Sequence, residues 1–178
     1  MNMLEEILIA NEKFVDNFEP VSLGHLPQKK VAILTCMDCR LTGFLPDALG
    51  IGRGDAKIIR NAGNTIVGED AIRSIAAAIY SLGCEEVLVI GHSECGMAHA
   101  NPDAVKAKMI EMGIDEADID AVGDLTKWIG AIPGEENNVL ETVEAIKNHP
   151  LITSEVPIHG LMLDIVTGKL SVLIDGRE

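Results

Sequence analysis

Two stretches constrain the fold of this chain more than any others: Val31-Ala32-Ile33-Leu34 and Val87-Leu88-Val89-Ile90, each short, unbroken in apolar character and rich in β-branched residues. A strand with one wet face alternates polar and apolar residues. A run without polar residues is covered on both faces, the pattern of a parallel sheet sandwiched between helices. Both runs then end in reactive side chains. The first continues into Thr35-Cys36-Met37-Asp38-Cys39-Arg40, the second into Gly91-His92-Ser93-Glu94-Cys95-Gly96. Open α/β sheets bind ligands at the carboxyl ends of their strands, so a site is expected where these two runs stop.

The remaining segments read as parts of the same architecture. The spacing of Leu4, Ile7, Leu8, Phe14, Val15 and Phe18 predicts an amphipathic helix over 2–18. A turn-rich link over 19–28 separates it from the first strand. A short helix is expected over 41–49, and Gly50-Ile51-Gly52-Arg53-Gly54 is a turn, because it lacks the spacing of a dinucleotide fingerprint and precedes a strand. Ala56–Arg60 is a second strand, ending in Asn61-Ala62-Gly63-Asn64, a polar edge able to turn backbone amides toward a ligand, with an ordinary turn glycine the favoured reading of Gly63. Glu69–Leu82 is a helix stopped by Gly83. For the two ligand-bearing strand ends to meet, the Val31 and Val87 strands must be neighbours, with the Ile58 strand on the far side of Val31. Residues 101–133 are acidic and helical and hold the single tryptophan, Trp128, read as a packing or interface residue. A further helix spans Glu135–Asn148, and Ile158–Val166 pairs with Lys169–Ile174 about Thr167-Gly168. The expectation is an α/β fold with a mostly parallel β-sheet flanked by helices and an antiparallel C-terminal strand. Residues 1–178 form a single domain in this reading, with an N-terminal helix within 1–20 that packs on its own sheet or on a partner subunit.

Composition excludes several functions. At 178 residues and 47% hydrophobic content the chain can bury one good core. A net charge of −14 argues against nucleic acid, whose phosphates demand basic surface. No run approaches the roughly 20 apolar residues of a membrane span, and the first residues lack the basic and apolar regions of a signal peptide. Three of the four cysteines stand close to Asp, Arg or His, which reads as a metal or catalytic set in a reducing compartment, hence the cytoplasm.

Cys36, His92 and Cys95 are the candidate metal ligands. Two thiolates and an imidazole suit zinc, and three protein ligands leave the fourth tetrahedral position open. Two rivals use Cys39. Cys36-Met37-Asp38-Cys39 also fits a CxxC redox pair, although that reading leaves His92 and Cys95 without a role. A closed structural zinc on Cys36, Cys39, His92 and Cys95 would abolish catalysis, and it leaves Asp38 and Arg40 without one. Cys84 reads as buried and inert, and nothing in their spacing selects His25, His99, His149 or His159.

Cys36-x-Asp38-x-Arg40, Arg60-Asn61-Ala62-Gly63-Asn64 and His92-x-x-Cys95-Gly96, taken together, resemble the β-class carbonic anhydrases, from the N-terminal helix to the final strand pair. Residues 69–90 and 159–169 and the low aromatic content look like the small, archaeal-type branch rather than the plant type. The resemblance implies zinc on Cys36, His92 and Cys95, water or hydroxide in the fourth position, and Asp38 held by Arg40 as the catalytic pair. It implies reversible hydration of carbon dioxide to bicarbonate, and assembly as a homodimer or homotetramer with the N-terminal helix reaching a neighbour. In some family members the aspartate itself closes the fourth position. The chain departs from the pattern at Cys39, where serine is common, and in its longer acidic segment over 113–133. Hydrolysis of carbonyl sulfide or carbon disulfide on the same site is the nearest alternative, and a non-catalytic zinc or redox-sensing protein the more distant one.

Overall fold

The computed structural model describes residues 2–178. The two apolar runs form β1 (Val31–Cys36) and β3 (Glu86–His92), and every residue of β1 is buried. With β2 (Ala56–Asn61), β4 (Ile158–Leu163) and β5 (Leu170–Ile174) they make one sheet in the order β2-β1-β3-β4-β5. The first four strands are parallel and β5 runs antiparallel to β4. The expected neighbours are therefore in place: β1 lies between β2 and β3. Chain progress turns back at β1, and the reactive ends of β1 and β3 stand side by side at that reversal.

Helices cover both faces. α3 (Asp70–Tyr80) and α7 (Glu135–Lys147) pack on one face, where Ala71, Ile72, Ile75, Val139, Val143 and Ile146 meet Ala32, Leu34, Val87 and Val89. α2 (Phe44–Leu49) lies on the other with Leu41 and Leu45 against Ile33, Ile90 and Leu163. α7 approaches the sheet closely because β3 and β4 offer it glycines. A Cβ on Gly91 would meet Val139 Cγ2 at 2.6 Å, and one on Gly160 would meet Val139 Cγ1 at 3.0 Å. The acidic segment folds as α4 (Pro102–Glu111), α5 (Glu116–Asp120) and α6 (Leu125–Ile129).

The sequence left α1 (Met3–Asn17) two places to pack. It buries no residue on its own chain, and Leu4, Ile7, Phe14 and Val15 all stand exposed. A capping box sets its start: the Asn2 side chain accepts from the Glu5 amide while the Glu5 carboxylate accepts from the Asn2 amide. The helix is locally well specified. It lacks an internal surface to cover.

Candidate metal centre

Cys36 ends β1, His92 ends β3 and Cys95 lies three residues further on. Their ligand atoms fall within 4.8 Å of one another and all three residues are buried. The two sulfurs are 3.8 Å apart. His92 Nδ1 lies 2.8 Å from the Ser93 carbonyl, which fixes the ring with its proton on Nδ1. Its Nε2 is buried without a hydrogen-bond partner. A bare lone pair converging with two thiols is costly to bury unless a cation receives it. The donor set fits zinc: sulfur and imidazole ligands, no fourth protein ligand in the cluster, and a second-shell acceptor orienting the ring.

The electrostatics agree. Cys36 is held below the ordinary thiol range, chiefly by the hydrogen bond with Cys95, with His92 and the amides of Asp38 and Gly63 assisting against burial. Cys95 is pushed up by the same pair and by burial. Burial pushes the His92 imidazole down, but the nearby Cys36 sulfur, the Ser93 carbonyl and the charges of Cys36 and Asp38 outweigh it and raise it. The cluster is thus a buried concentration of negative charge that draws positive charge to itself.

Asp38 and Arg40 stand beside it. Asp38 Oδ2 lies 4.0 Å from His92 Nε2. Arg40 donates to Asp38 Oδ1 from Nε at 3.0 Å and to Oδ2 from Nη2 at 2.9 Å, a two-pronged grip reinforced by the Arg40 amide at 2.9 Å. That grip holds the Asp38 carboxyl down at about 2. Both carboxylate oxygens are engaged by Arg40, and Asp38 is not among the clustered ligand atoms.

Neighbouring residues to which sequence reasoning gave no catalytic or ligand role complete the surroundings. Glu94, at φ +56, accepts from Arg40 through its carbonyl at 2.8 Å and its carboxylate at 3.3 Å, tying the β1 and β3 loops together. Arg60 at the end of β2 donates to the carbonyls of Cys36 at 3.0 Å and Asp38 at 2.6 Å. Gly63 is more than an ordinary turn glycine. It sits at φ +72, its carbonyl accepts from Asn138 Nδ2 at 2.7 Å, and a Cβ there would meet Met97 Cβ at 3.1 Å. A left-handed backbone pressed against its neighbours strains any other residue placed there.

Cys39 is exposed and stands outside the cluster, which gathers three of the four residues that a closed site would need. Cys84 is buried and its thiol is raised by desolvation, as expected of an inert core residue. His159 lies between Glu86 and Asp175 near the amino end of β4, outside the cluster. His25, His99 and His149 are likewise absent from it.

Comparison with known proteins agrees with this geometry. The carbonic anhydrase family profile matches residues 31–170. YvdA of Bacillus subtilis (strain 168), assigned to the carbonic anhydrases by name, is 41% identical over 186 residues, covering 100% of this chain and 94% of YvdA. A carbon disulfide hydrolase of Acidithiobacillus thiooxidans is 36% identical over 160 residues, covering 83% of this chain and 79% of the hydrolase. The crystal structure of a β-carbonic anhydrase, isoform I, from Trichomonas vaginalis superposes with a TM-score of 0.94 at 40% identity, covering 99% of this chain and 100% of that one. The Cys36, His92 and Cys95 cluster thus stands at the reversal point of a sheet shared with these relatives, and the chain belongs to the β-class carbonic anhydrases.

Proposed function

We propose that this protein hydrates carbon dioxide reversibly to bicarbonate and a proton, with Cys36, His92 and Cys95 holding zinc and Asp38 and Arg40 as the catalytic pair. The observation that carries the reading is the unpartnered, buried Nε2 of His92, converging with two thiols beside an Arg40-gripped carboxylate. Zinc, when bound, supplies a Lewis acid that acidifies water toward neutral pH. Two thiolate ligands donate much charge and weaken that acidity, so the surroundings must assist. Asp38, ionised at every working pH, orients water by accepting a hydrogen bond at the carboxylate edge nearest His92. With its carboxyl held at about 2 it is too weak a base to store the proton, which passes on to solvent. Arg40 keeps that carboxylate charged and aimed.

The whole chain acts as one domain in this proposal, as a homodimer or homotetramer in which α1 covers a neighbouring subunit. The apolar face of α1 that its own chain leaves bare supports this. Four free cysteines suit a reducing cytoplasm, and among the described residues no helix is long and apolar enough to cross a membrane. Likeness to carbon disulfide hydrolases favours a second substrate class, the sulfur analogues of carbon dioxide. Asp38→Ala tests the mechanism: zinc stays while hydration falls by about 100-fold or more. Unchanged activity would remove Asp38 from the reaction, and hydrogen sulfide release from carbon disulfide in place of bicarbonate production would establish the second reading.

A further inference from the structure

The two helices packed on the same sheet face differ in what they bury. α3 buries only Ala71, Ile72, Ile75 and Ala78, whereas α7 buries Asn138 and Thr142 among Val139, Val143 and Ile146. Asn138 is 5% and Thr142 3% exposed. Polar groups in a packed apolar stripe cost stability unless they are bonded, so their partners are informative. Asn138 Nδ2 donates to the Gly63 carbonyl at 2.7 Å, and Thr142 Oγ1 donates to the Asn64 carbonyl at 3.2 Å. One turn toward the helix start, Glu135 Oε1 accepts from the Cys95 amide at 3.3 Å. Positions 135, 138 and 142 share one side of the helix. That side thus reaches the backbone on both flanks of the metal cluster.

We propose that Asn138 and Glu135 are positioning residues of the metal centre: Asn138 anchors the carbonyl of Gly63, in the turn packed against the end of β1 that carries Cys36, and Glu135 anchors the amide of Cys95. Outer partners that hold the backbone beside a ligand hold the ligand in its binding geometry, so one helix positions both thiols for the metal. The left-handed Gly63 peptide has no side chain of its own to hold it. Asn138 substitutes for that anchor, and Gly91 permits the close approach that lets it reach.

This inference rests on the three-residue metal centre proposed above. Asn138→Leu fills nearly the same space and removes the donor. With the full-length protein, zinc affinity measured by chelator competition should fall about 10-fold to 100-fold. The sulfur-to-metal absorption of the cobalt-substituted protein should shift, and kcat should fall more than KM rises. Leu140→Ala, on the exposed side of the same helix, should change none of these. Glu135→Ala should weaken zinc binding, while Glu135→Gln, which keeps an acceptor for the Cys95 amide, should restore it. If Asn138→Leu does not fold, the Glu135 pair decides. Wild-type affinity and absorption in folded Asn138→Leu, or in Glu135→Ala, would overturn the proposal. A wild-type protein that holds no zinc would instead overturn the metal centre itself.

Discussion

At the residue scale, the site depends on which side chains touch the cluster and which only stand nearby in sequence. Cys39 is three residues from Cys36 but exposed, so Cys39→Ser should retain about one zinc per chain and activity within about twofold, measured on one preparation. Loss of zinc from that variant would revive the four-ligand site. Asp38 carries a pH signature. Its carboxyl falls from an ordinary value near ~4 when unfolded to about 2 when folded. A depressed carboxyl stabilises the fold fully above its unfolded value and loses that contribution as pH falls through the folded one. The melting temperatures of wild type and Asp38→Asn should therefore differ above pH ~5 and converge as pH drops toward ~2. A gap that stays constant over that range would show that the Arg40 grip does not act in solution.

At the scale of elements, the strands were legible because their chemistry is local. Unbroken β-branched runs announced β1 and β3, and the ligands that end them required the two to be neighbours. α7 was legible as a helix but not as part of the site. Its periodicity places Asn138 and Thr142 in line with Val139, Val143 and Ile146, and that polar interruption of an apolar stripe was the available signal. Glu94 and Glu135 gave none, because an isolated acidic residue looks the same whether it meets solvent or a backbone amide across the fold. Gly63 read as a turn glycine because its left-handed backbone is common to all such turns, and only its packing against Met97 and the bond its carbonyl accepts from Asn138 distinguish it. The close approach of α7 should be costly to disturb: Gly91→Ala brings a Cβ within 2.6 Å of Val139, and overpacking of this kind costs about 1–3 kcal/mol. Thermal unfolding at fixed concentration would check it, and an unshifted melting temperature would show that α7 has slack.

At the scale of the molecule, the sheet buries its own core while the first helix buries nothing. Leu4 is 65%, Ile7 55% and Phe14 57% exposed, an apolar face unsuited to water. The sequence alone left its destination open because an amphipathic stripe specifies what must be covered and not by what. Deleting residues 2–18 should convert a wild-type dimer or tetramer to monomers by light scattering, with the sheet's circular dichroism retained. A wild-type monomer would contradict the assembly. The arrangement as a whole places Cys36, His92 and Cys95 at the reversal point of the sheet, with Asp38 and Arg40 beside them and α7 behind. Its central claim is a three-ligand zinc site that hydrates carbon dioxide, and stopped-flow hydration on the full-length protein, with zinc determined on the same batch, tests it most directly. The account predicts about one zinc per chain and rapid hydration that disappears when the metal is removed and returns when zinc is restored. Full zinc occupancy without hydration, or hydration that survives removal of the metal, would contradict it.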